Sequence, residues 1–238
     1  MIGLYKFLLW GIYGIETINR SWDLNKARNS YYTMSIQIAQ LSKTILREVL
    51  LDTRIISFLE RLREHHEETH QHSIRVAYDT IGIFLTIKEG EISDEVREEA
   101  ISLGYCGILH DAGKLRIPKA ILSKKEALDE EEWEIMKQHP RYGFEELRTF
   151  DHPLAKYIAV GHHEYQQRAY PRRNIHERNV EERIASAAQI VCVADIADAL
   201  THKRSYKPAL PKEEAYRIMR TQYTGDHAYL DSLARKAA

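Results

Sequence analysis

The stretch Gly107-Ile108-Leu109-His110-Asp111-Ala112-Gly113-Lys114 organises the sequence, because an apolar run that begins at Ile101 ends there in adjacent histidine and aspartate residues. Removing a carboxylate from water is costly unless a counter-charge neutralises it. A divalent metal is a common counter-charge where histidine and aspartate are adjacent. The dipeptide alone rather favours a capped helix end with a surface aspartate, so the other histidines and aspartates of the chain must decide.

Composition limits the classes of function. The 238 residues are 44% hydrophobic, which allows one large domain or a domain with an extension. Lysine and arginine number 34 against 35 acidic residues, so no DNA or RNA partner is expected. Cys106 and Cys192 both lie in apolar runs and are interpreted as core thiols of a cytoplasmic, reducing compartment. The distinctive feature is a count of 12 histidines, several of them clustered.

Residues 1–60 are predicted to form a helical extension or linker of unknown role. Residues 1–15 are mostly apolar, but they are fewer than the ~20 residues that a spanning helix needs. No small-residue cleavage pattern follows them, so no secretory signal is expected. We expect this segment to pack on the main domain or on a second subunit, as in a homodimer through the N-terminal helices. The alternative is a weak membrane contact of residues 1–20. The apolar spacing of residues 36–63 predicts one helix.

Polar side chains follow or interrupt apolar helical faces at several later points. His72 shares a predicted helical face with Val76 and Ile83, and Glu68 precedes it by one turn. His139 precedes a proline and is predicted to end a helix. The apolar run 155–160 ends in His162 and His163, as the earlier run ends in His110.

Two aspartates lie on the apolar stripe of a helix predicted over residues 184–200. For Asp195 a metal is the favoured partner, whereas Asp198 is interpreted as a hydrogen-bonding partner of a helix N-terminus. The neighbouring His65, His66 and His70 are predicted to be solvated.

These residues form a candidate ligand set larger than one metal uses: His72, His110, Asp111, His139, His162, His163 and Asp195, with Glu68 as an eighth. The set predicts two divalent metals, or three if Glu68 joins. Because no cysteine belongs to it, a structural zinc ribbon is excluded. Mixed histidine and carboxylate ligands suit iron, manganese or zinc, and paired metals with a bridging hydroxide commonly hydrolyse phosphate esters. Strand-like alternation is absent from the sequence, so the fold class is predicted to be all-α.

The order of these motifs resembles the HD-GYP family of the HD phosphohydrolase superfamily, over residues 60–230. The matching segments are 72–76, 109–118, 139–143, 162–164, 170–171, 193–200 and 204–207. The resemblance implies an HD-domain helical bundle over residues 61–238. It also implies a centre of two or three metals, with iron or manganese favoured over zinc. The implied activity, in bacterial signalling, is hydrolysis of cyclic di-GMP to the linear dinucleotide or GMP.

The same resemblance implies roles for single residues. Asp111 would bridge two metals, and Lys114 would contact a substrate phosphate, which makes these two the candidate catalytic residues. Tyr170, Arg204 and Lys207 would bind the nucleotide. Glu68 stands where some members supply a ligand to a third metal.

The sequence departs from the family in the loop after His162-His163-Glu164. This loop is about one residue shorter than usual, and Ala169 stands where the family has a glycine. Ser205 also replaces a more usual proline. Because these changes leave the metal ligands intact, they bear on substrate choice.

The alternatives to a cyclic di-GMP phosphodiesterase are an HD phosphohydrolase for another nucleotide, a non-catalytic module that binds a cyclic dinucleotide, and a di-iron oxygenase on the same fold. Lys114 favours a phosphate over the last of these.

Overall fold

The computed structural model describes residues 21–90, 92–171, 181–203 and 209–236, and most of these residues lie in helices. The α-helices of these residues are α1 (Ser21–Val49), α2 (Thr53–His65), α3 (Glu67–Ile87), α4 (Asp94–Leu109), α5 (Lys119–Leu122), α6 (Glu130–Met136), α7 (His139–Glu146), α8 (Ala155–Gly161), α9 (Glu182–Thr201), α10 (Lys212–Gln222) and α11 (His227–Lys236). A 3₁₀ helix (Ala112–Arg116) lies between α4 and α5. An isolated bridge between Gln166 and Tyr223 is the only β pairing of the described residues, which confirms the all-α prediction.

Helices α3, α4 and α9 form the centre of the core. Helix α3 packs against both of the others, and α9 is buried along most of its length from Ala187 to Leu200. Gly107 allows the approach of α4 to α3, because a Cβ at this position would lie 2.5 Å from the Cα of Ala77. This packing brings the first half of α3 beside the C-terminal end of α4, where the rings of His72 and His110 lie with 5.2 Å between centroids. Cys106 and Cys192 are free and buried in this core, as predicted.

Helix α9 is also apolar enough and long enough to cross a membrane, and it is the one such helix among the described residues. Its apolar window is 67% buried inside the protein. Burial of this kind is typical of the central helix of a packed domain.

The helix predicted over residues 36–63 is two helices. Helix α1 ends at Val49, and Asp52 caps α2 by accepting a hydrogen bond from the backbone N–H of Arg54 at 2.8 Å. The Asp52 carboxylate also accepts from the Tyr105 hydroxyl at 2.6 Å, which fixes the break against α4. Ile45 of α1 is buried in the main core.

His139 begins a helix, where the sequence predicted that it would end one. Helix α6 stops at Met136, and α7 starts at His139 with Pro140 in its first turn. A proline is tolerated there because the first backbone N–H groups of a helix have no acceptor within it. Ser93 caps α4 and Asp129 caps α6, each by accepting a hydrogen bond from the backbone N–H three residues later.

Some predictions fall outside the described residues. These are the membrane contact of residues 1–20 and the nucleotide contacts of Arg204 and Lys207. Pro211 directly precedes α10, and α11 follows that helix.

Candidate metal centre

The candidate ligands come from different helices and meet in the interior. His110 and His162 occupy the C-terminal ends of α4 and α8, and His139 occupies the start of α7. His72 lies in the first half of α3, and Asp195 lies in the middle of α9. All five side chains are buried, as the sequence predicted for residues that need a charged partner.

The side chains form two groups, each with ligand atoms within 4.8 Å of one another: His72, His110 and Asp111 in one, and His139, His162 and His163 in the other. Asp111 belongs to the first group and also faces the second. Its Oδ2 is 3.3 Å from His110 Nε2 and 3.5 Å from His72 Nε2. Its Oδ1 is 3.4 Å from His139 Nε2 and 4.0 Å from His162 Nε2. A carboxylate in this position can bind two cations at once, one through each oxygen.

Asp195 also connects the two groups. Its Oδ1 lies 3.1 Å from His72 Nε2, and its Oδ2 lies 3.9 Å from His163 Nδ1. Two buried carboxylates therefore face five imidazoles.

Three histidines are oriented by backbone carbonyls three residues earlier in the chain. Nδ1 of His110 donates to the carbonyl oxygen of Gly107 at 2.8 Å, and Nδ1 of His162 donates to that of Ala159 at 2.9 Å. His139 makes the same hydrogen bond to Met136 at 2.8 Å. A carbonyl oxygen only accepts hydrogen bonds, so Nδ1 holds the proton of each neutral ring. The lone pair of Nε2 then points to the centre.

Asp198 orients the fourth histidine, and its predicted partner was wrong. Its Oδ2 lies 2.6 Å from Nδ1 of His72, and Arg75 donates to the same carboxylate from Nε at 2.6 Å. A third partner is His202 at the end of α9, whose Nδ1 lies 2.9 Å from Asp198 Oδ1. The partners of Asp198 are thus side chains of α3 and His202, not the N-terminus of a helix. A matching spacing on the two helices could have indicated the contact with α3. Asp198 follows Asp195 by three residues on α9, and Arg75 follows His72 by three residues on α3.

The unpaired atoms of the centre fit a divalent cation. Nε2 of His72 and Nε2 of His110 are buried and lack a hydrogen-bond partner among the described residues. Nε2 of His139 and Nε2 of His162 lie 3.4 Å apart, although both carry lone pairs in the tautomers just described. Buried lone pairs that face one another are unfavourable unless a shared proton or a cation lies between them. Nitrogen and carboxylate ligands suit iron, manganese or zinc.

Burial and charge together set the protonation of the centre. Burial raises the pKa of Asp111, but Lys114 and the surrounding histidines outweigh it, so that its pKa lies well below the usual range. For Asp195 burial also raises the pKa, and the adjacent His72 leads the opposing effects that lower it well below the usual range. Both carboxylates are therefore ionised at neutral pH.

The histidines differ from one another. Burial lowers the pKa of His139 to about 3 and that of His163 to about 4. Burial also lowers the pKa of His110, but Asp111 outweighs burial, and the net shift is upward. A histidine ligand must be a neutral imidazole, and the rings of the second group are already neutral at pH 7.

A cavity of about 500 Å³ opens onto the centre and is lined by Glu68, Lys114, Trp133 and Tyr170. Nζ of Lys114 lies 2.7 Å from Asp111 Oδ2. The ring of Tyr170 stacks on that of His163 with 4.4 Å between centroids. Glu68 lines the cavity without belonging to either group of ligands.

Trp133 is a cavity residue that the sequence did not indicate. It is 44% exposed on the short helix α6, and its ring meets the Tyr170 ring edge-on with 6.0 Å between centroids. An exposed aromatic residue on a seven-residue helix has no periodic signature, so pattern analysis could not find it.

The three histidines predicted to be solvated are partly buried. Nε2 of His65 lies 2.9 Å from the carbonyl oxygen of Ile117, and His66 caps α3 by accepting from the backbone N–H of Thr69 at 3.2 Å. His70 is half-buried on α3. These roles are structural, and none of the three belongs to either group of metal-ligand candidates.

Comparison with known proteins assigns the chain to a protein family. Residues 69–200, more than half of the chain, match the HD domain family. The chain therefore belongs to the HD domain family, which confirms the superfamily predicted from the motifs.

Individual relatives narrow the comparison. A cyclic di-GMP phosphodiesterase of Thermotoga maritima is 36% identical over 171 residues, which cover 68% of this chain and 43% of that protein. The cyclic di-GMP phosphodiesterase response regulator RpfG of Xanthomonas campestris pv. campestris is 30% identical over 79% of this chain and 52% of its own length. A 3'3'-cGAMP-specific phosphodiesterase 2 of Vibrio cholerae is 41% identical over 49% of this chain and 22% of its own length. The chain spans about half the length, or less, of these relatives.

Proposed function

We propose that this chain is a metal-dependent phosphodiesterase that hydrolyses cyclic di-GMP to the linear dinucleotide, to GMP, or to both. The observation that carries the proposal is the position of Asp111, whose two oxygens face two separate groups of histidine nitrogens. Two relatives that bear the name of this activity align with most of the chain.

The proposed ligands are those predicted from the sequence. One cation would be held by His72, His110, Asp111 and Asp195, and the other by Asp111, His139, His162 and His163. Glu68 is proposed as a ligand of a third. Iron or manganese is favoured, with zinc as the alternative. When bound, such cations would neutralise phosphate charge and lower the pKa of a water molecule, which is what two-metal sites supply to hydrolysis at phosphorus.

Lys114 is proposed to hold the substrate phosphate. Its ammonium group is largely buried and lies against Asp111 at the floor of the cavity. A lysine there presents a compact positive charge with three donors to phosphate oxygens. Arg204 and Lys207 are proposed to bind the nucleotide on the ground of the resemblance alone.

The aromatic wall of the cavity suits a nucleobase. Trp133 and Tyr170 line the same cavity as Lys114, so a phosphate near Lys114 would leave a base within reach of these rings. Base–aromatic stacking stabilises binding with little sequence preference. Tyr170 and Trp133 are therefore proposed to support the base, while specificity rests on other contacts.

A second cyclic dinucleotide is the alternative substrate. The relative from Vibrio cholerae that is 41% identical is named for 3'3'-cGAMP. The loop that contains Ala169 departs from the family pattern, and this loop leads into Tyr170 at the cavity. We therefore expect the choice between guanine and adenine to depend on this side of the cavity.

The experiment is turnover by purified protein loaded with Mn²⁺, with Fe²⁺ under anaerobic conditions, or with Zn²⁺. Cyclic di-GMP, 3'3'-cGAMP and a panel of linear nucleotides are supplied separately, and products are separated by liquid chromatography. We expect cyclic di-GMP to be cleaved and Asp111→Ala to abolish cleavage. Metal-loaded protein that binds cyclic di-GMP and leaves it intact would refute the proposal, and it would favour a non-catalytic binding module.

A matched pair of lysine variants tests the phosphate contact. Lys114→Ala should lower turnover by 10²-fold or more, since it removes a charge next to the reacting phosphate, on the order of the cost of a lost transition-state donor. Lys125→Ala removes the same charge from an exposed position and should leave turnover unchanged.

The N-terminal residues 1–60 are proposed to form an extension that joins two copies of the chain. Tyr32 and Ile36 of α1 are 64% and 42% exposed, which supports a contact there. Sedimentation analysis of the protein and of a Tyr32→Ser/Ile36→Ser variant tests the dimer, which the variant should weaken. A cytoplasmic location stays a prediction.

A further inference from the structure

Among the described residues, His163 is the one histidine of the two groups whose Nδ1 has no obligate acceptor within hydrogen-bond distance. The nearest carboxylate oxygen, Oδ2 of Asp195, lies 3.9 Å away. Nδ1 of His163 lies 2.8 Å from the side-chain amide nitrogen of Gln166. Its Nε2 lies 3.2 Å from Nε2 of His139. The other four histidines have a carbonyl or carboxylate oxygen at Nδ1.

A glutamine amide can serve this position in two ways. Its NH₂ group can donate to an unprotonated Nδ1, or its oxygen can accept from a protonated Nδ1. Both orientations have nearly the same shape, so rotation of the amide costs little packing. The choice between them is tied to the tautomer of the imidazole.

Without a cation, one set of tautomers gives each of three successive hydrogen bonds a donor and an acceptor. Gln166 donates to Nδ1 of His163, Nε2–H of His163 donates to Nε2 of His139, and Nδ1–H of His139 donates to the carbonyl oxygen of Met136. In this arrangement Nε2 of His163 holds a proton and has no lone pair for a metal.

We propose that Gln166 is a positioning residue that sets the tautomer of His163 and thereby the affinity of the group His139, His162 and His163 for its cation. Metal binding through Nε2 requires the proton of His163 to leave Nε2 and a proton to return at Nδ1. The ring stays neutral, and the Gln166 amide turns so that its oxygen accepts the new N–H. The inference rests on the proposed metal centre but not on the substrate.

The backbone around Gln166 is held, so that only its side chain needs to turn. Gln166 pairs with Tyr223, and the N–H of Gln167 donates to the carbonyl oxygen of Gln222 at 2.8 Å. The Sγ atom of Cys192 lies 4.0 Å from the amide nitrogen and offers only a weak acceptor. Neither orientation of the amide is therefore locked by a strong third partner among these contacts.

Two variants separate the contributions of Gln166. Gln166→Glu presents a carboxylate, which only accepts, so it should fix the proton on Nδ1 and free Nε2. Gln166→Met keeps the length of the side chain without a strong donor or acceptor. Because partners of metal-bound histidines typically change metal affinity by about 10- to 100-fold, we expect tighter binding at this group in the first variant and weaker binding in the second. Gln167→Glu adds the same charge at the adjacent exposed position and is the control.

The decisive measurement is the tautomer of each histidine in metal-free protein, from long-range ¹H–¹⁵N correlation spectra of ¹⁵N-histidine-labelled protein at pH 8. We expect His163 to hold its proton on Nε2, the other four to hold theirs on Nδ1, and Gln166→Glu to move the His163 proton to Nδ1. Calorimetric titration with Mn²⁺ then measures affinity.

Three outcomes would overturn the inference. The first is a wild-type His163 already protonated on Nδ1, and the second is a Zn²⁺-loaded protein in which Nδ1 of His163 is the ligand. The third is an equal gain in Mn²⁺ affinity from Gln166→Glu and Gln167→Glu, which would mean that the added negative charge, and not the tautomer of His163, raises the affinity. If Gln166→Glu fails to fold, loss of the Nε2–H preference in Gln166→Met gives the same test. Absence of any Mn²⁺ binding would instead refute the metal centre, and no substrate enters these measurements.

Discussion

Gly113 holds the two halves of the candidate centre together, and adding one methyl group there should separate them. A Cβ at Gly113 would lie 1.9 Å from the carbonyl oxygen of His139 and 2.4 Å from the backbone nitrogen of Gly143. A relaxed carbon–oxygen contact needs about 3.3 Å. Because both obstacles are backbone atoms, α7 must retreat from the 3₁₀ helix by about 1.4 Å in the Gly113→Ala variant.

This retreat has two measurable consequences. His139 Nε2, now 3.4 Å from Asp111 Oδ1, would move beyond the reach of a cation shared with that carboxylate. We expect the affinity for the cation of the His139 group to fall by at least about 10-fold. Overpacking against the backbone should cost about 3 kcal/mol of unfolding free energy, which lowers the Tm of a domain of this size by roughly 6–12 °C.

The assay is calorimetric Mn²⁺ titration together with thermal unfolding of the metal-free protein. Gly104→Ala is the matched control: its Cβ would meet the ends of two side chains, Val49 Cγ2 at 3.0 Å and Ile81 Cδ1 at 3.1 Å, and these can shift. We expect that control to bind metal as the wild type does and to lose about 1 kcal/mol or less. A Gly113→Ala protein with wild-type Tm and undiminished Mn²⁺ binding would refute the reasoning.

Three further predictions follow from the same structure. Asp198→Asn removes the charged acceptor of His72 and should weaken Mn²⁺ binding by 10- to 100-fold in calorimetry, whereas unchanged binding would mean that the carboxylate does not orient the ring. Trp133→Ala should raise the KM for a cyclic dinucleotide about 10-fold with kcat nearly unchanged, while Ile135→Ala, two residues along and 40% exposed, should change neither. Burial lowers the pKa of His152 to about 4, so the stabilisation present above pH 6.5 should be lost as the pH falls from 6.5 to 4, by about 2 kcal/mol after allowance for partial exposure. Nδ1 of His152 accepts hydrogen bonds from the backbone N–H groups of Leu154 and Ala155 at 3.3 and 3.1 Å, where α8 begins. His152→Asn keeps an acceptor there without a titrating group, and urea unfolding at several pH values should show this pH dependence in the wild type but not in the variant.

Those parts of the fold that depend on burial could be predicted from the sequence. His110 and His162 end long apolar runs, and His72 shares the period of an apolar face, so their inward direction follows from helical geometry. The break between α1 and α2 could not be predicted in this way, because the apolar period continues across it. Its cause is local: Asp52 offers a better partner to the N–H of Arg54 than a continuous helix would.

The errors at the centre have a common physical origin. A proline after His139 is compatible with the end of one helix or the first turn of the next, and only the packing of α7 on the 3₁₀ helix decides. Asp195 and Asp198 share a helical face, so periodicity makes both of them buried and does not tell which one faces the histidines of the centre. Gln166 lies in an irregular loop, where no period applies. Sequence patterns report burial, whereas these roles depend on which side chains meet across the core.

The positions of three ligands follow from the chemistry of helix ends. The last four carbonyl groups of an α-helix have no acceptor role within it. The last turns of α4, α6 and α8 contain Gly107, Met136 and Ala159. The carbonyl oxygen of each accepts a hydrogen bond from the histidine three residues later. One hydrogen bond thus satisfies a buried carbonyl and turns the lone pair of Nε2 toward the centre. Because the C-terminal end of a helix carries partial negative charge, three such ends around one cavity also favour cations there. Helices α4 and α8 are apolar toward their C-terminal ends, so His110 and His162 stand immediately after apolar runs, and this part of the motif can be seen in the sequence. Helix α6 has no buried residue, so His139 follows no such run.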